Sequence, residues 1–151
     1  MQIICGGLDE PRVQALLAHH YTTARAQTAR GSAHALDLSG LRAPDIQFFS
    51  AWDGDTVVAI GALRRLSSTD GEVKSMHTAE SNRRTGAGSA VLRHIIAAAR
   101  DIGLSRLNLE TGSWPYFDAA RAFYQRHGFV ECPPFGDYRP DANSVFMTLE
   151  I

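Results

Sequence analysis

The segment of residues 82–89 constrains the fold of this chain more than any other stretch. It joins a predicted strand, residues 72–78, to a predicted helix, residues 89–102. Gly86 and Gly88 allow successive backbone N–H groups to turn toward one point, and the free N–H groups at the start of the helix extend that row. The segment therefore predicts a binding site for an anion with several oxygens, and pyrophosphate is the best match.

Two common phosphate-binding motifs do not fit this segment. The dinucleotide-binding fingerprint needs glycine or alanine where this chain has Val91, and the phosphate loop of nucleotide triphosphatases needs Gly-Lys-Ser/Thr, which is absent. What remains is Arg83-x-x-Gly86-x-Gly88 between a strand and an amphipathic helix. That pattern resembles the coenzyme A pyrophosphate loop of the GNAT superfamily of N-acetyltransferases.

A second motif follows in the order that the same family has. Residues 120–129 contain Phe123-Tyr124 and Gly128-Phe129, which is similar to the family segment Ala-x-x-Leu/Phe-Tyr-x-x-x-Gly-Phe. The resemblance covers residues 46–151. At one position the chain differs, because Phe117 stands where the family often has an asparagine that bonds the pantetheine arm.

The predicted order of elements is that of an α/β (α+β) fold with a single sheet and helices on both faces. A strand and a helix come first, followed by a short helix or packed loop and by a hairpin around Asp53-Gly54. The chain continues with strand 72–78, a strand-helix-strand-helix unit and a final hairpin. The resemblance implies that this mixed sheet splays in the middle. Length predicts one domain over residues 1–151, and the resemblance implies that it is an N-acetyltransferase domain.

The resemblance implies acetyl-CoA as co-substrate. Its pantetheine arm is expected to bond the exposed backbone where strands 72–78 and 106–110 diverge, as an added short strand would. The residues expected to bind the co-substrate are Met76, His77, Thr78, Arg83, Arg84, Thr85, Gly86, Ala87, Gly88 and Ser89.

The implied reaction moves an acetyl group to a primary amine by direct attack, without a metal or a nucleophilic cysteine. The amine must lose a proton, the carbonyl oxygen needs a hydrogen-bond donor, and the departing thiolate gains from a proton. Tyr124 is the expected general acid, and the alternative is that it only packs its helix against the sheet. A backbone N–H near His77 or Thr78 is expected to bond the acetyl oxygen.

Glu72 is the first candidate for the general base. It lies fourteen residues before Gly86, as the base glutamate does in some protein-acetylating members of the family. Strict alternation along the strand puts it on the same face as Lys74, Met76 and Thr78. The competing interpretation is a surface carboxylate at the start of a strand, paired with Lys74 or Arg65.

Two further residues are candidates for the same role. Glu110, at the end of the neighbouring predicted strand, ranks second. His77 ranks third, because an imidazole with a pKa near ~6.5 suits proton transfer.

The acceptor is expected to enter between residues 20–45 and residues 132–143. Phe135, Tyr138 and Arg139 are the expected substrate-binding residues, since the second region combines aromatic, charged and proline residues. A plain hairpin connection is the alternative. The acceptor class stays open between a small-molecule amine and a peptide amine.

Composition narrows the partners and the location. A net charge of −1 with 21% charged residues provides no general attraction to nucleic acid or to an anionic membrane. The chain has no apolar run of about 20 residues and no signal-peptide pattern, so a cytoplasmic protein is expected. Cys5 and Cys132 are two single cysteines without a Cys-x-x-Cys spacing. A homodimer is compatible with the resemblance. The alternative functions are a non-catalytic coenzyme A sensor and a phosphate-binding interaction module.

Overall fold

The computed structural model describes residues 1–151, and its strands form one seven-stranded sheet. The strands are β1 (Gln2–Cys5), β2 (Ile46–Asp53), β3 (Thr56–Arg65), β4 (Asp70–Thr78), β5 (Arg106–Gly112), β6 (Val130–Glu131) and β7 (Ser144–Glu150). The α-helices are α1 (Pro11–Ala26), α2 (Leu38–Leu41), α3 (Ala87–Asp101) and α4 (Asp118–Arg126). Short 3₁₀ turns at Glu80–Asn82 and Pro115–Phe117 precede α3 and α4.

The strand order across the sheet is β1-β2-β3-β4-β5-β7-β6. Only β4 and β5 pair in parallel, and every other neighbouring pair is antiparallel. Gly54, with φ of +58°, turns the chain in the β2–β3 hairpin, as the sequence predicted. The predicted α/β fold with a mixed sheet is therefore confirmed.

The sheet splays between β4 and β5. Their pairing covers only three positions and ends where Glu72 faces Asn108. The Asn108 side-chain amide closes the paired end, because its Nδ2 donates to Asp70 Oδ2 and to the carbonyl of Gly71, each at 3.2 Å. Beyond Glu72, β4 has no strand on that side, so its backbone polar groups face the gap. The predicted splay is confirmed.

Helices cover both faces of the sheet. On one face, Val13 and Leu17 of α1 and Leu41 of α2 pack against β2 and β3. On the other face, α3 places Val91 and Ile95, one helical turn apart, in a larger core that α4 extends. Full burial of each such side chain contributes about 1.5–3 kcal/mol, which fixes α3 and with it the loop that precedes the helix.

A β-bulge interrupts β4 at Ser75. Ile60 of β3 pairs with His77 while Ala62 pairs with Lys74, so β4 carries one residue more than β3 over the same length. Ser75 takes up the extra residue with a φ of +56°, which is uncommon for a residue other than glycine.

This bulge corrects the predicted alternation along β4. Met76 packs on the α3 face, where its Sδ lies 2.6 Å from the position that a Cβ on Gly61 would occupy. His77 faces α1 instead, next to His20. The prediction that Met76 and Thr78 share a face with Glu72 is therefore wrong, because one inserted residue reverses a period of two.

Element boundaries differ from the predictions by a few residues. Helix α3 begins at Ala87 rather than near Ser89, and β5 continues to Gly112 instead of ending at Glu110. None of the helices combines the length and the apolar character that crossing a bilayer requires.

Candidate functional site

The splay opens into a cleft of about 670 Å³. The cleft extends from the bulged end of β4, past the start of α3, to the end of β5 and the inner side of α4. The residues predicted from the sequence that line it are Met76, His77, Thr78, Arg83, Arg84, Gly86, Ala87, Gly88, Ser89, Glu110 and Tyr124. Thr85 does not line the cleft, because its hydroxyl donates to the carbonyl of Asn82 at 2.5 Å.

The loop before α3 presents a row of free donors to this cleft. Arg84 and Gly86 have a positive φ, +64° and +88°, whereas Thr85 between them does not. This alternation in the sign of φ points consecutive backbone N–H groups toward the same side of the loop. The first bond into the helix runs from Ala90 N to Gly86 O, and no backbone N–H from Arg84 to Ser89 donates a hydrogen bond within the protein. The dipole of α3 adds partial positive charge at the same point.

Gly88 lets the loop approach β4 closely. A Cβ at this position would lie 2.9 Å from Thr78 Oγ1 and 3.7 Å from the ring of Phe123. Ser89 is held by a 3.0 Å contact between its Oγ and His127 Nε2. With Arg83 and Arg84 also lining the cleft, the donor set fits an anion with several oxygens such as a pyrophosphate.

Several residues that the sequence did not mark as binding groups also line the cleft, and Ser75 and Tyr116 are two of them. Ser75 has a buried Oγ without a hydrogen-bond partner, which is unusual because buried hydroxyls are nearly always paired. Tyr116 lies near the start of α4 and is 41% exposed. No local sequence signal marks Ser75, since the bulge comes from the pairing of β3 with β4.

Phe117 takes a structural position in this cleft. Its ring covers Gly112 at the end of β5, and a Cβ on Gly112 would overlap that ring. The side chain therefore presents an apolar surface to the cleft where the resemblance has a polar amide.

Tyr124 combines packing with access to the cleft. Its side chain is 8% exposed, and its ring packs edge-on against Phe123 and Phe129. Burial raises the pKa of Tyr124, and the charge of Glu110 adds to the rise. The phenol therefore stays protonated at neutral pH.

Glu110 lies on the open part of β5. Burial raises the pKa of Glu110 to about 7, with smaller increases from Glu72 and Asp141. Ser144 and Lys74 oppose the rise. A carboxyl with this pKa exchanges a proton readily near neutral pH.

His77 is tied to α1 rather than free in the cleft. Its Nδ1 lies 3.2 Å from Nδ1 of His20, so one ring donates and the other accepts. Burial lowers the pKa of His77 to about 3, and the neighbouring His20, Arg83 and His19 lower it further. Burial likewise lowers the pKa of His20 to about 4. Both rings are neutral at pH 7.

A second cavity of about 770 Å³ lies on the α1 face. Its walls are the chain between α1 and α2 and the loop between β6 and β7, which are the two regions predicted to admit the acceptor. Phe135, Tyr138 and Arg139 all line this cavity. Phe135 and Tyr138 also pack against Phe146 of β7, which anchors the loop to the sheet.

Glu72, Lys74 and Tyr138 form a closed polar triad at the floor of the second cavity. Lys74 Nζ donates to Glu72 Oε2 at 3.2 Å and to Tyr138 Oη at 3.1 Å, and Tyr138 Oη donates to the same carboxylate oxygen at 2.6 Å. Glu72 is 2% exposed and Lys74 is 9% exposed. The pairing of Glu72 with Lys74 was one of the two interpretations of Glu72, but the pair is buried rather than on the surface.

Lys74 lines both cavities and so marks the point where they meet. It is the only lysine in the chain, since every other basic residue besides histidine is arginine. That property of the composition could have identified Lys74 from the sequence.

Comparison with known sequences identifies the family of this chain. The sequence model described as the acetyltransferase (GNAT) family matches residues 13–129. The chain is 45% identical to an uncharacterized N-acetyltransferase, YedL, of Escherichia coli over 95% of this chain and 91% of that protein. It is 44% identical to an uncharacterized N-acetyltransferase, YsnE, of Bacillus subtilis over the full length of both. An IAA acetyltransferase of Azospirillum brasilense is 42% identical over 77% of this chain and 75% of that protein.

Solved structures share the fold. A Klebsiella pneumoniae structure assigned to the acyl-CoA N-acyltransferases superposes with a TM-score of 0.79 at 26% identity, over 99% of this chain and 96% of that chain. A GNAT family acetyltransferase of Elizabethkingia anophelis with acetyl-CoA bound superposes with a TM-score of 0.72 at 16% identity, over 99% of this chain and 97% of that chain.

The family predicted from the two sequence motifs is thus confirmed by an independent match over most of the chain. The geometry agrees with it, because the free N–H row, the splayed strands and the motif tyrosine border one cleft. The chain belongs to the acetyltransferase (GNAT) family and is an N-acetyltransferase that uses an acyl-CoA co-substrate.

Proposed function

We propose that this protein transfers an acetyl group from acetyl-CoA to a primary amine by direct attack of the amine. The observation that carries the proposal is the row of unpaired N–H groups from Arg84 to Ser89, which borders the same cleft as Glu110 and Tyr124. When bound, acetyl-CoA supplies an activated thioester, so the protein needs only to orient it, move protons and exclude water.

The loop and β4 hold the co-substrate in this proposal. The N–H groups of Arg84–Ser89 donate to the pyrophosphate, and Arg83 and Arg84 neutralise part of its charge. The unpaired edge of β4 beyond Glu72 bonds the pantetheine arm, and the buried Ser75 hydroxyl is an additional donor along this path.

Glu110 is the residue that we propose as general base. Its pKa of about 7 lies near neutral pH, where a base combines a high ionised fraction with enough proton affinity. His77 has a pKa of about 3 and would hold the proton too weakly. Glu72 already accepts two hydrogen bonds within the buried triad and borders the second cavity.

Tyr124 is the residue that we propose as general acid. Its phenol remains protonated because burial raises its pKa, and it lines the cleft beside Glu110. A neutral donor at this place protonates the departing thiolate and leaves the ionised carboxyl free for the amine.

A non-catalytic coenzyme A sensor and a phosphate-binding module are less well supported, because neither requires a carboxyl near pKa 7 beside a buried tyrosine. Release of free thiol from acetyl-CoA over a panel of amines tests the proposal. We expect amine-dependent thiol release. Binding of acetyl-CoA without release for every amine would favour the sensor.

A further inference from the structure

The charged groups around Lys74 form a row of alternating sign where the two cavities meet. Glu72 lies on one side of Lys74, at 3.2 Å. Glu110 lies across the splay on β5, close enough for both Lys74 and Glu72 to act on it electrostatically. The row runs from the second cavity, which Glu72 lines, to the cleft, which Glu110 lines.

Lys74 retains one donor that the protein does not use. An ammonium group has three N–H donors, and those of Lys74 meet only Glu72 Oε2 and Tyr138 Oη. A buried ammonium gains from a third acceptor, because few waters reach a side chain that is 9% exposed. An oxygen atom of a bound molecule can accept the third hydrogen bond of Lys74, and a carboxylate oxygen accepts it most strongly.

The second cavity as a whole has balanced charge. Four basic side chains and four carboxylates line it, and Arg64 pairs with Asp45 as Lys74 pairs with Glu72. The four basic groups would repel an acceptor with several positive charges, and no excess of carboxylates would offset that repulsion. The four carboxylates would repel an acceptor with several negative charges in the same way. A zwitterion places each of its charges beside an opposite one.

We propose that the acceptor is an amine that carries a carboxylate next to the nitrogen, such as a free α-amino acid, and that Lys74 binds this carboxylate. The amine then lies toward Glu110 and the cleft, and the carboxylate lies toward Lys74. Each charge of the amino acid therefore lies beside a protein group of opposite charge. Tyr138 contributes by holding Lys74 Nζ in place through the 3.1 Å bond. The inference rests on the proposed acetyltransferase activity and adds the class of its acceptor.

Matched acceptors test this inference on the wild-type protein. Each α-amino acid of a panel is compared with its primary amide and with the amine that lacks the carboxyl group, by thiol release from acetyl-CoA. We expect kcat/KM to favour the acid by roughly 10- to 100-fold, the range for a hydrogen bond to a charged group, mainly through KM. Amide amines are less basic and carry more free base near neutral pH, so unassisted chemistry would favour the amide instead.

Variants of Lys74 locate the effect. Lys74→Met keeps the length of the side chain without its charge and should lower the acid-to-amide ratio to one or below it, because the amide carries more free base. Lys74→Arg should retain part of the preference, because a cation remains. Arg100→Met is the matched control, since Arg100 is exposed on α3 and lines neither cavity. Its acid-to-amide ratio should equal that of the wild type.

Binding provides a test that does not depend on turnover or on the stability of a variant. Calorimetric titration of the coenzyme A-loaded wild-type protein should detect an amino acid and should not detect its amide at the same concentration. Equal kcat/KM or equal binding for acids and amides would overturn the inference and leave the acetyltransferase proposal intact. Absence of thiol release with every amine would instead overturn the proposed function itself.

Discussion

Tyr138 Oη donates a 2.6 Å hydrogen bond to Oε2 of Glu72 across 66 residues of chain. The bond joins the loop between β6 and β7 to β4 directly beside the splay. It explains why Glu72 is buried in a paired state, and it gives a loop residue a role in holding the site together. The effects of changing Tyr138 and Arg139 should therefore differ, although both residues lie in one loop.

Tyr138→Phe should lower the free energy of unfolding by roughly 1–3 kcal/mol. Removal of the hydroxyl takes one hydrogen-bond partner from the buried Glu72 carboxylate and one from the buried Lys74 ammonium. Chemical denaturation at neutral pH measures the loss. Arg139→Ala should leave that free energy unchanged within about 0.5 kcal/mol, since Arg139 is exposed and bonds no other residue. We expect Arg139→Ala, and Tyr138→Ala more strongly, to raise the KM for the amine and not the KM for acetyl-CoA. A rise in both KM values would assign the loop to the fold alone.

Saturating acetyl-CoA should stabilise the wild-type protein by about 2.7 kcal/mol at a hundredfold excess over its Kd. Gly86→Ala should abolish most of this gain, because a Cβ disfavours the φ of +88° that turns the N–H row. Gly103→Ala is a matched control, since Gly103 has a φ of +86° and equally open surroundings at the far end of α3. Both variants should lose similar stability without ligand, about 1–2 kcal/mol, and only Gly86→Ala should lose the response to acetyl-CoA. The same response in both variants would show that the loop does not bind the co-substrate.

Glu110→Gln should remove a pH dependence of catalysis. In the wild type, kcat/KM should rise with pH through about 7 as Glu110 loses its proton. The variant should be roughly 10²- to 10⁴-fold slower and should lack that ionisation. Glu131→Gln, at an exposed position of β6, should reproduce the wild-type profile. A wild-type profile in Glu110→Gln would mean that another group accepts the proton.

The same carboxyl should affect stability in a definite direction. Its pKa is raised from an ordinary 4.5 to about 7, so the folded state holds the proton more tightly than the unfolded state. Stability should then fall as pH rises from 4.5 to about 7 and should level off above that range. Glu110→Gln should be more stable than the wild type at pH 8, by about 1–3 kcal/mol, and the difference should shrink toward pH 4.5. Denaturation at a series of pH values provides the measurement, and a difference that is constant with pH would contradict it.

Tyr124→Phe should lower kcat between tenfold and ten-thousandfold with little change in the affinity for acetyl-CoA. Phenylalanine keeps the ring contacts with Phe123 and Phe129, so only the hydroxyl is removed. The loss should be smaller with a thioester whose thiol is more acidic, because such a thiolate leaves without a proton. Tyr21→Phe on α1, outside both cavities, is the control. Turnover at the wild-type rate with a poor amine would make Tyr124 a packing residue.

The sequence by itself determined the family, the order of the elements and the position of the glycine-rich loop before α3. These features depend on neighbours along the chain, such as the two glycines at residues 86 and 88 and the periodic apolar face of α3. Strand and helix positions followed within a few residues for the same reason, since hydrophobic period and turn chemistry are local properties.

Only the tertiary structure decided which way the side chains of β4 point and what the candidate bases touch. The bulge at Ser75 depends on how β3 pairs with β4, and it turns His77 toward α1 and Met76 toward α3. The proton affinity of Glu110 depends on burial between strands that separate. Glu72 and Tyr138 meet over 66 residues of chain, a contact that no local pattern encodes. Local chemistry specifies the elements, whereas the pKa values and pairings of the site come from packing between residues distant in sequence.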